Sequence, residues 1–354
     1  MGGMSEASFF RRNWKLMLNI VTLVALGGLI LALRHQLVDA FSNLSKVNVW
    51  ILLLLLPIEV LNYHAQTRMY QRLFASVDEQ VPYGGMMRAT IELNFVNHVF
   101  PSGGVSGISY FSYRLREFKV RGTKSTLVQT MKLLLLFISF ELILLFGMFI
   151  LAINGKASGL TILLGGSLSV IVIFGTGILA YIVGSQARIH RFLTATTRLV
   201  NYAIHLVRPK HPETINIAKA REVFEQFHRD YMLLKSRYRE LWAPFWWAFL
   251  ANVMELCVIY VVYMSFGSYV DVGAVILGYA VANFAGLISV MPGGVGIYEA
   301  LMTATLVAAG IPATLSLPVT VMYRVLSTLL QVPAGYVLYH ATLHRKQPAA
   351  ELAE

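Results

Sequence analysis

The stretch Met291-Pro-Gly-Gly-Val-Gly-Ile-Tyr-Glu299 limits most sharply what this chain can fold into. It separates two apolar runs, Val275–Val290 and Ala300–Ala309. A helix that spans a bilayer needs about 20 apolar residues, so neither run crosses comfortably alone. Pro292 has no backbone N–H and disfavours helix in the residue before it. Gly293, Gly294 and Gly296 add backbone freedom. A helix is therefore expected to break here, deep in apolar sequence. Broken backbone at membrane depth survives only where protein or a wet cavity surrounds it. Glu299 follows at once, and an ionisable group inside a membrane is a candidate functional residue.

The phrase has an earlier counterpart. Pro101-Ser-Gly-Gly-Val-Ser-Gly-Ile-Ser-Tyr110 reads like Pro292–Tyr298 with two small insertions, and the Gly-Gly pairs lie 190 positions apart. Each copy follows an Asn-Phe pair, Asn94-Phe95 and Asn283-Phe284. Two copies of a broken-helix phrase in corresponding halves point to a transporter-like internal repeat.

Hydrophobic residues make up 56% of the chain and charged residues 13%, about half the charge of a soluble domain. The expected class is an all-α polytopic membrane protein. A single cysteine, Cys257, excludes an intramolecular disulfide and a cysteine metal cluster. The formal charge of +11 is concentrated between apolar runs. It therefore speaks of topology and an anionic membrane surface, not of nucleic acid.

Taken in order, Arg11, Arg12 and Lys15 precede a first expected span, residues 16–33, longer than a signal-peptide core. A second span covers 49–65 and ends near Arg68 and Arg72. Residues 84–115 are flanked by basic residues on both sides, which predicts a re-entrant hairpin entered from the cytoplasm, its tip at Pro101, Ser102, Gly103 and Gly104. Within it Arg88 and Glu92 have the i,i+4 spacing of a helical pair. Spans at 127–153 and 160–183 follow, joined by an outside turn. Residues 185–241 hold eleven Lys/Arg against five Asp/Glu, with an apolar stripe from Ile217 to Leu241. They predict a cytoplasmic amphipathic helical segment. A span at 244–266 leads to the second hairpin, 275–309, entered from outside. A last span at 318–339 carries Arg324 and Gln331 at i,i+7. The expected plan is about six spans and two re-entrant hairpins of opposite polarity, with both termini cytoplasmic. Residues 1–184 form one membrane repeat and 242–343 the other, and 344–354 form a tail.

Pro292-Gly-Gly-Val-Gly-Ile-Tyr-Glu299, Asn94 with Pro101-Ser-Gly-Gly104, and Tyr323-Arg324 with Pro333 together resemble the lysylphosphatidylglycerol synthase transmembrane, or flippase-like, family. The resemblance covers roughly residues 15–343. It implies a polytopic protein of a bacterial or archaeal inner membrane, with movement of lipids between leaflets as the associated activity. Some members also carry a cytoplasmic domain that places lysine on phosphatidylglycerol. Residues 185–241 are too short and too simply patterned for such a domain, so that activity is not expected here.

Arg324 suits a phosphate anchor, because a guanidinium fork matches phosphate oxygens. It equally suits a structural pair with Glu299 or Glu255. Glu299 fits either a helix cap or a proton or headgroup contact. Arg114 follows the first break and joins the candidate set. Asn94 and the residues of both breaks complete it. Glu59, Glu141 and Glu255 read as packing or cavity carboxylates. There is no His-Glu-x-x-His, no Gly-x-Ser-x-Gly and no Gly-Lys-Ser/Thr phosphate loop. No catalytic residue, metal site or cofactor is therefore expected. The favoured function is translocation of a phospholipid or polyprenyl-linked lipid. A non-transporting partner of a membrane enzyme and a membrane-embedded headgroup transferase remain open alternatives, and the candidate protein partners are a second copy of the chain or a membrane enzyme.

Overall fold

The computed structural model describes residues 24, 27–28, 31, 33–36, 38–39, 42–100, 105–185, 187–188, 191, 229, 231–232, 236–288 and 296–344. Ten α-helices organise these residues, and no strand occurs among them. They are α1 (Val49–Leu52), α2 (Leu55–Ala75), α3 (Tyr83–Val99), α4 (Val105–Leu115) and α5 (Gly122–Ile153), then α6 (Gly159–Val183), α7 (Trp242–Ser265), α8 (Val272–Ile288), α9 (Ile297–Ala308) and α10 (Ala313–His344). The protein is an all-α polytopic membrane protein. Five stretches among the described residues are long and apolar enough to cross a membrane: Val49–Ala75, Gly122–Ile153, Gly159–Ile178, Tyr238–Ser265 and Ala313–Thr342. The expected first span at 16–33, the tip 101–104, most of 185–241 and the tail 345–354 lie outside the described residues.

Local chemistry explains several boundaries. Pro57 would have to donate to the Leu53 carbonyl to continue one helix from Val49, and it has no N–H. The chain turns at Leu53–Leu54 and restarts as α2. The second span then runs beyond the expected Ala65, to Ala75. Asp271 starts α8: its Oδ1 accepts from the amides of Gly273 at 2.9 Å and Ala274 at 3.3 Å. Pro318 was the expected start of the last span. It lies instead inside α10, which begins five residues earlier at Ala313.

The short helices come in two pairs. α3 and α4 have 17 and 11 residues, α8 and α9 have 17 and 12. At 1.5 Å per residue each is about 17–25 Å long, short of the roughly 30 Å hydrocarbon core. Gly85, near the start of α3, lies against the Phe118 ring that follows α4, so the outer ends of that pair meet. Basic residues gather at this end of the bundle. Lys124 pairs with Glu79 at 2.9 Å and Arg237 with Asp78 at 2.7 Å. At the opposite end Asn154, in the α5–α6 turn, donates to Asp271 at 2.7 Å.

The largest apolar core joins α5, α7, α8, α9 and α10, and a second one joins α2, α3, α4 and α5. α10 packs on α3 at Gly335. A Cβ there would fall 2.3 Å from the Phe95 Cβ, so a side chain is sterically refused. Outward faces carry Phe146, Phe149, Leu163, Ile171 and Phe174, all exposed and apolar. In water such a surface would aggregate, and in lipid it is matched to its solvent.

Candidate functional site

Between the cores lies a cavity of about 310 Å³. Amide side chains dominate its wall: Asn62 and Gln66 from α2, Asn252 from α7, Asn283 from α8 and Gln331 from α10. Lys132 of α5 and Glu255 of α7 bring opposite charges to it, and His98 of α3 supplies an imidazole. Tyr279, Tyr323 and Ser327 add hydroxyls. A polar chamber inside apolar helices is costly unless its groups bond to each other or to something bound.

A run of amides partly meets that cost. Asn94 Nδ2 donates to Gln66 Oε1 at 3.1 Å, and Gln66 Nε2 donates to Asn62 Oδ1 at 3.1 Å. Asn62 Nδ2 then donates to Glu255 Oε1 at 2.7 Å. Asn94 is thereby tied to the cavity through Gln66. Asn252 Nδ2 reaches the Leu136 carbonyl at 3.0 Å and Ser139 Oγ at 2.7 Å. Lys132 has no carboxylate within ion-pair distance among the described residues, and its Nζ lies 5.2 Å over the Tyr70 ring.

The second break has its own charged cluster beside this chamber. Glu299 opens α9. Its Oε2 accepts from the Gly296 amide at 2.6 Å, and its Oε1 accepts from Gln36 Nε2 at 2.8 Å. The same Oε1 forms an ion pair with Arg324 of α10. Gly296 has φ +88°, a conformation that favours glycine and turns the chain into α9. Arg324 also stacks 4.7 Å over the Tyr298 ring. Of the two carboxylates considered for Arg324, the geometry selects Glu299, while Glu255 bonds Asn62 instead. Tyr323, the residue before Arg324, lines the chamber.

Arg114 sits elsewhere. It is buried, donates to Glu92 Oε2 at 2.8 Å and forms a further pair with Glu117. Tyr110 Oη and Thr342 Oγ1 also donate to Glu92, at 2.8 and 2.7 Å. Glu92 is therefore the partner of Arg114, not of Arg88. Arg88 is exposed and makes no ion pair among the described residues. Its i,i+4 spacing allowed a pair, but Arg114 reaches the same carboxylate from the buried side. Arg114 does not line the chamber. Pro101, Ser102, Gly103, Gly104, Pro292, Gly293 and Gly294 fall outside the described residues.

The family model described as "Lysylphosphatidylglycerol synthase TM region" matches residues 17–335. The chain belongs to this family. Its relatives include a UPF0104 membrane protein of Methanothermobacter thermautotrophicus, 30% identical over 102 residues, or 29% of this chain and 30% of that one. A UPF0104 membrane protein of Pyrococcus horikoshii is 26% identical over 113 residues, 32% of this chain and 34% of the other. The matched segments thus span about a third of each archaeal relative. No solved structure matches the chain.

Sequence reasoning placed Asn94, Glu299, Gly296 and Arg324 around the breaks but missed most of the chamber wall. The signal was present on α2, where Glu59, Asn62 and Gln66 stand at i, i+3 and i+7, and on α10, where Tyr323, Ser327 and Gln331 follow at steps of four. Those spacings put polar groups on one face of an apolar helix. Glu59 and Glu141 are buried but do not line the chamber.

Proposed function

We propose that the protein translocates lipid headgroups between leaflets, with the headgroup passing through the amide-lined chamber while the acyl chains stay in the bilayer. The observation that carries this reading is the chamber itself: a polar volume of about 310 Å³ walled by six helices inside an apolar bundle. A phosphate in hydrocarbon is prohibitively costly, and a headgroup that crosses must exchange water for protein partners. The family name, which refers to a lipid-modifying enzyme's membrane region, is compatible with a lipid substrate.

In this reading α3–α4 and α8–α9 are re-entrant hairpins of an inverted repeat, one in residues 1–184 and one in 242–343. Their shortness and the two glycine-rich phrases 190 positions apart support it. The basic end faces the cytoplasm by the positive-inside rule, with both termini and residues 185–241 on that side. The membrane is a bacterial or archaeal cytoplasmic membrane. Arg324 and Glu299 guard the chamber at the second break, Asn94 braces it, and the glycines of both breaks let backbone approach the headgroup. Arg114 positions the first hairpin through Glu92. The chain performs no chemistry on the lipid.

The test is reconstitution in sealed vesicles with phospholipids of defined headgroup, scored by the accessibility of each headgroup to an impermeant reagent. Protein-dependent exposure of inner-leaflet headgroups is expected. Equal rates with and without protein, across zwitterionic and anionic phospholipids and a polyprenyl phosphate, would remove translocation and leave the partner role.

A further inference from the structure

One acidic and one basic side chain line the chamber without pairing with each other. Glu255 and Lys132 form no ion pair, and neither has an oppositely charged partner among the described residues. Glu255 is braced by Asn62, which donates to its Oε1 at 2.7 Å, so an acidic group faces that end of the chamber. Isolated charges facing a low-dielectric interior are expensive. A ligand that carries the complementary pair would relieve both.

Their spacing follows from the helices. α5 and α7 each run antiparallel to α2. Tyr70 meets Gln129, and the Val77 carbonyl meets Lys124. Asn62 meets Glu255, and the Asn48 amide meets the Ser265 carbonyl. α5 and α7 are therefore parallel, and the Asn252–Leu136 bond fixes their register. Lys132 lies four residues before Leu136 and Glu255 three after Asn252. Seven residues of helical rise separate them by about 10 Å along the bundle. α2 gives a similar measure, since Tyr70, under the lysine, is eight residues from Asn62, about 12 Å. That rise measures the backbones; from those two levels the lysine and glutamate side chains line one chamber of about 310 Å³, a volume suited to a small zwitterion with its charges two carbons apart.

We propose that the chamber is a site for a zwitterionic headgroup of the phosphoethanolamine type, its phosphate on Lys132 and its primary ammonium on Glu255. The assignment rests on the translocation reading for the lipid as the source. The same chemistry is offered by soluble glycerophosphoethanolamine. A primary ammonium can donate to Glu255, a trimethylated one has no N–H, and a glycerol headgroup has no charge for it.

Native mass spectrometry of the purified full chain provides the test. The probes are phosphatidylethanolamine, its N-acetyl derivative, phosphatidylglycerol and glycerophosphoethanolamine. Phosphatidylethanolamine should bind about tenfold more tightly than the N-acetyl form, the scale of one lost charge-assisted bond. Glu255→Gln should erase that difference by weakening phosphatidylethanolamine alone. Lys132→Gln should weaken both lipids, and Lys132→Arg, which keeps the charge and controls for folding, should largely retain them. Competition by glycerophosphoethanolamine at equal strength would support the site and make the free metabolite the source. Weak competition would make it the lipid. Equal binding of phosphatidylethanolamine and its N-acetyl form would overturn the headgroup assignment without touching translocation. Selective binding by a protein that moves no lipid in vesicles would overturn translocation and leave the site.

Discussion

Arg324 of α10 and Glu299 of α9 form an ion pair at the entrance to α9, with the Gly296 amide and Gln36 completing the carboxylate's contacts. Removing one member leaves the other charge in a largely desolvated place, a loss of about 3–5 kcal/mol in comparable buried pairs. Arg324→Met and Glu299→Leu should each lower the thermal midpoint in detergent markedly. The double variant should recover much of that loss. If the pair also guides the headgroup, the recovered double variant should still fail to move lipid in vesicles. Full transport by it would reduce the pair to a structural role.

Glu92 collects Arg114, Tyr110 and Thr342, and so ties α3, α4 and the end of α10 together. Glu92→Gln keeps the shape but removes the buried carboxylate from the Arg114 guanidinium and leaves it the half-buried Glu117 alone. A destabilisation of about 2–4 kcal/mol is expected, read as a lower midpoint. Arg88→Gln, at an exposed position without an ion pair among the described residues, should change it little.

Gly335 is a packing requirement. Its Cβ would meet the Phe95 Cβ at 2.3 Å and the Ile91 carbonyl at 3.2 Å, so α10 must move off α3 to admit Ala. Overpacking of this kind costs about 1–3 kcal/mol. Gly166 in α6 has nothing within 4 Å of an added Cβ, and there Gly→Ala should be neutral or slightly stabilising. The thermal midpoint should fall for the Gly335 variant and hold or rise slightly for the Gly166 variant.

The class, the five spans found among the described residues and the charge cluster at Glu299 were legible because each rests on local sequence. Apolar length marks a span, and Pro292 with its glycines marks a break. The chamber was not legible as a whole. Its wall takes side chains from α2, α3, α5, α7, α8 and α10, and only the packing decides which polar face meets which. Arg114 shows the same limit. Spacing along one helix allowed Arg88 for Glu92, whereas α4 brings a residue 22 positions away to that carboxylate. Lys132 stands near the start of a long apolar helix, and only the packing puts it in the chamber wall.

Opposed hairpins make a geometric demand. If both breaks approach the midplane from opposite sides, cysteines at Ser102 and Gly293 in a Cys257→Ser background should crosslink with a short reagent. Single cysteines at Lys156 and Ala313 should react with an impermeant reagent from outside intact cells, and one at Lys210 should not. Labelling of position 210 from outside would reverse the topology. Distances that put 102 and 293 at opposite membrane surfaces would remove the inverted repeat.

Asp271 supplies a pH-dependent latch at the end of the bundle away from the basic residues. Burial by itself would raise its pKa. Asn154, the amides of Ala274 and Gly273, and Lys156 together outweigh burial and hold the carboxyl below its ordinary value. A group whose folded pKa is depressed contributes stability above its unfolded value, near 3.9, and loses it as pH falls through the folded pKa. The contribution should therefore be constant from neutral pH down to about 5 and decline below about 4. Asp271→Asn removes the titration while keeping an acceptor for the α8 amides. The difference in thermal midpoint between the natural protein and this variant should be largest at neutral pH and close in acid. Asn154→Ala, which removes the 2.7 Å donor, should shrink the neutral-pH difference and move its closure to higher pH. A difference that stays constant from pH 7 to pH 3 would show that the carboxylate's charge contributes nothing to this latch.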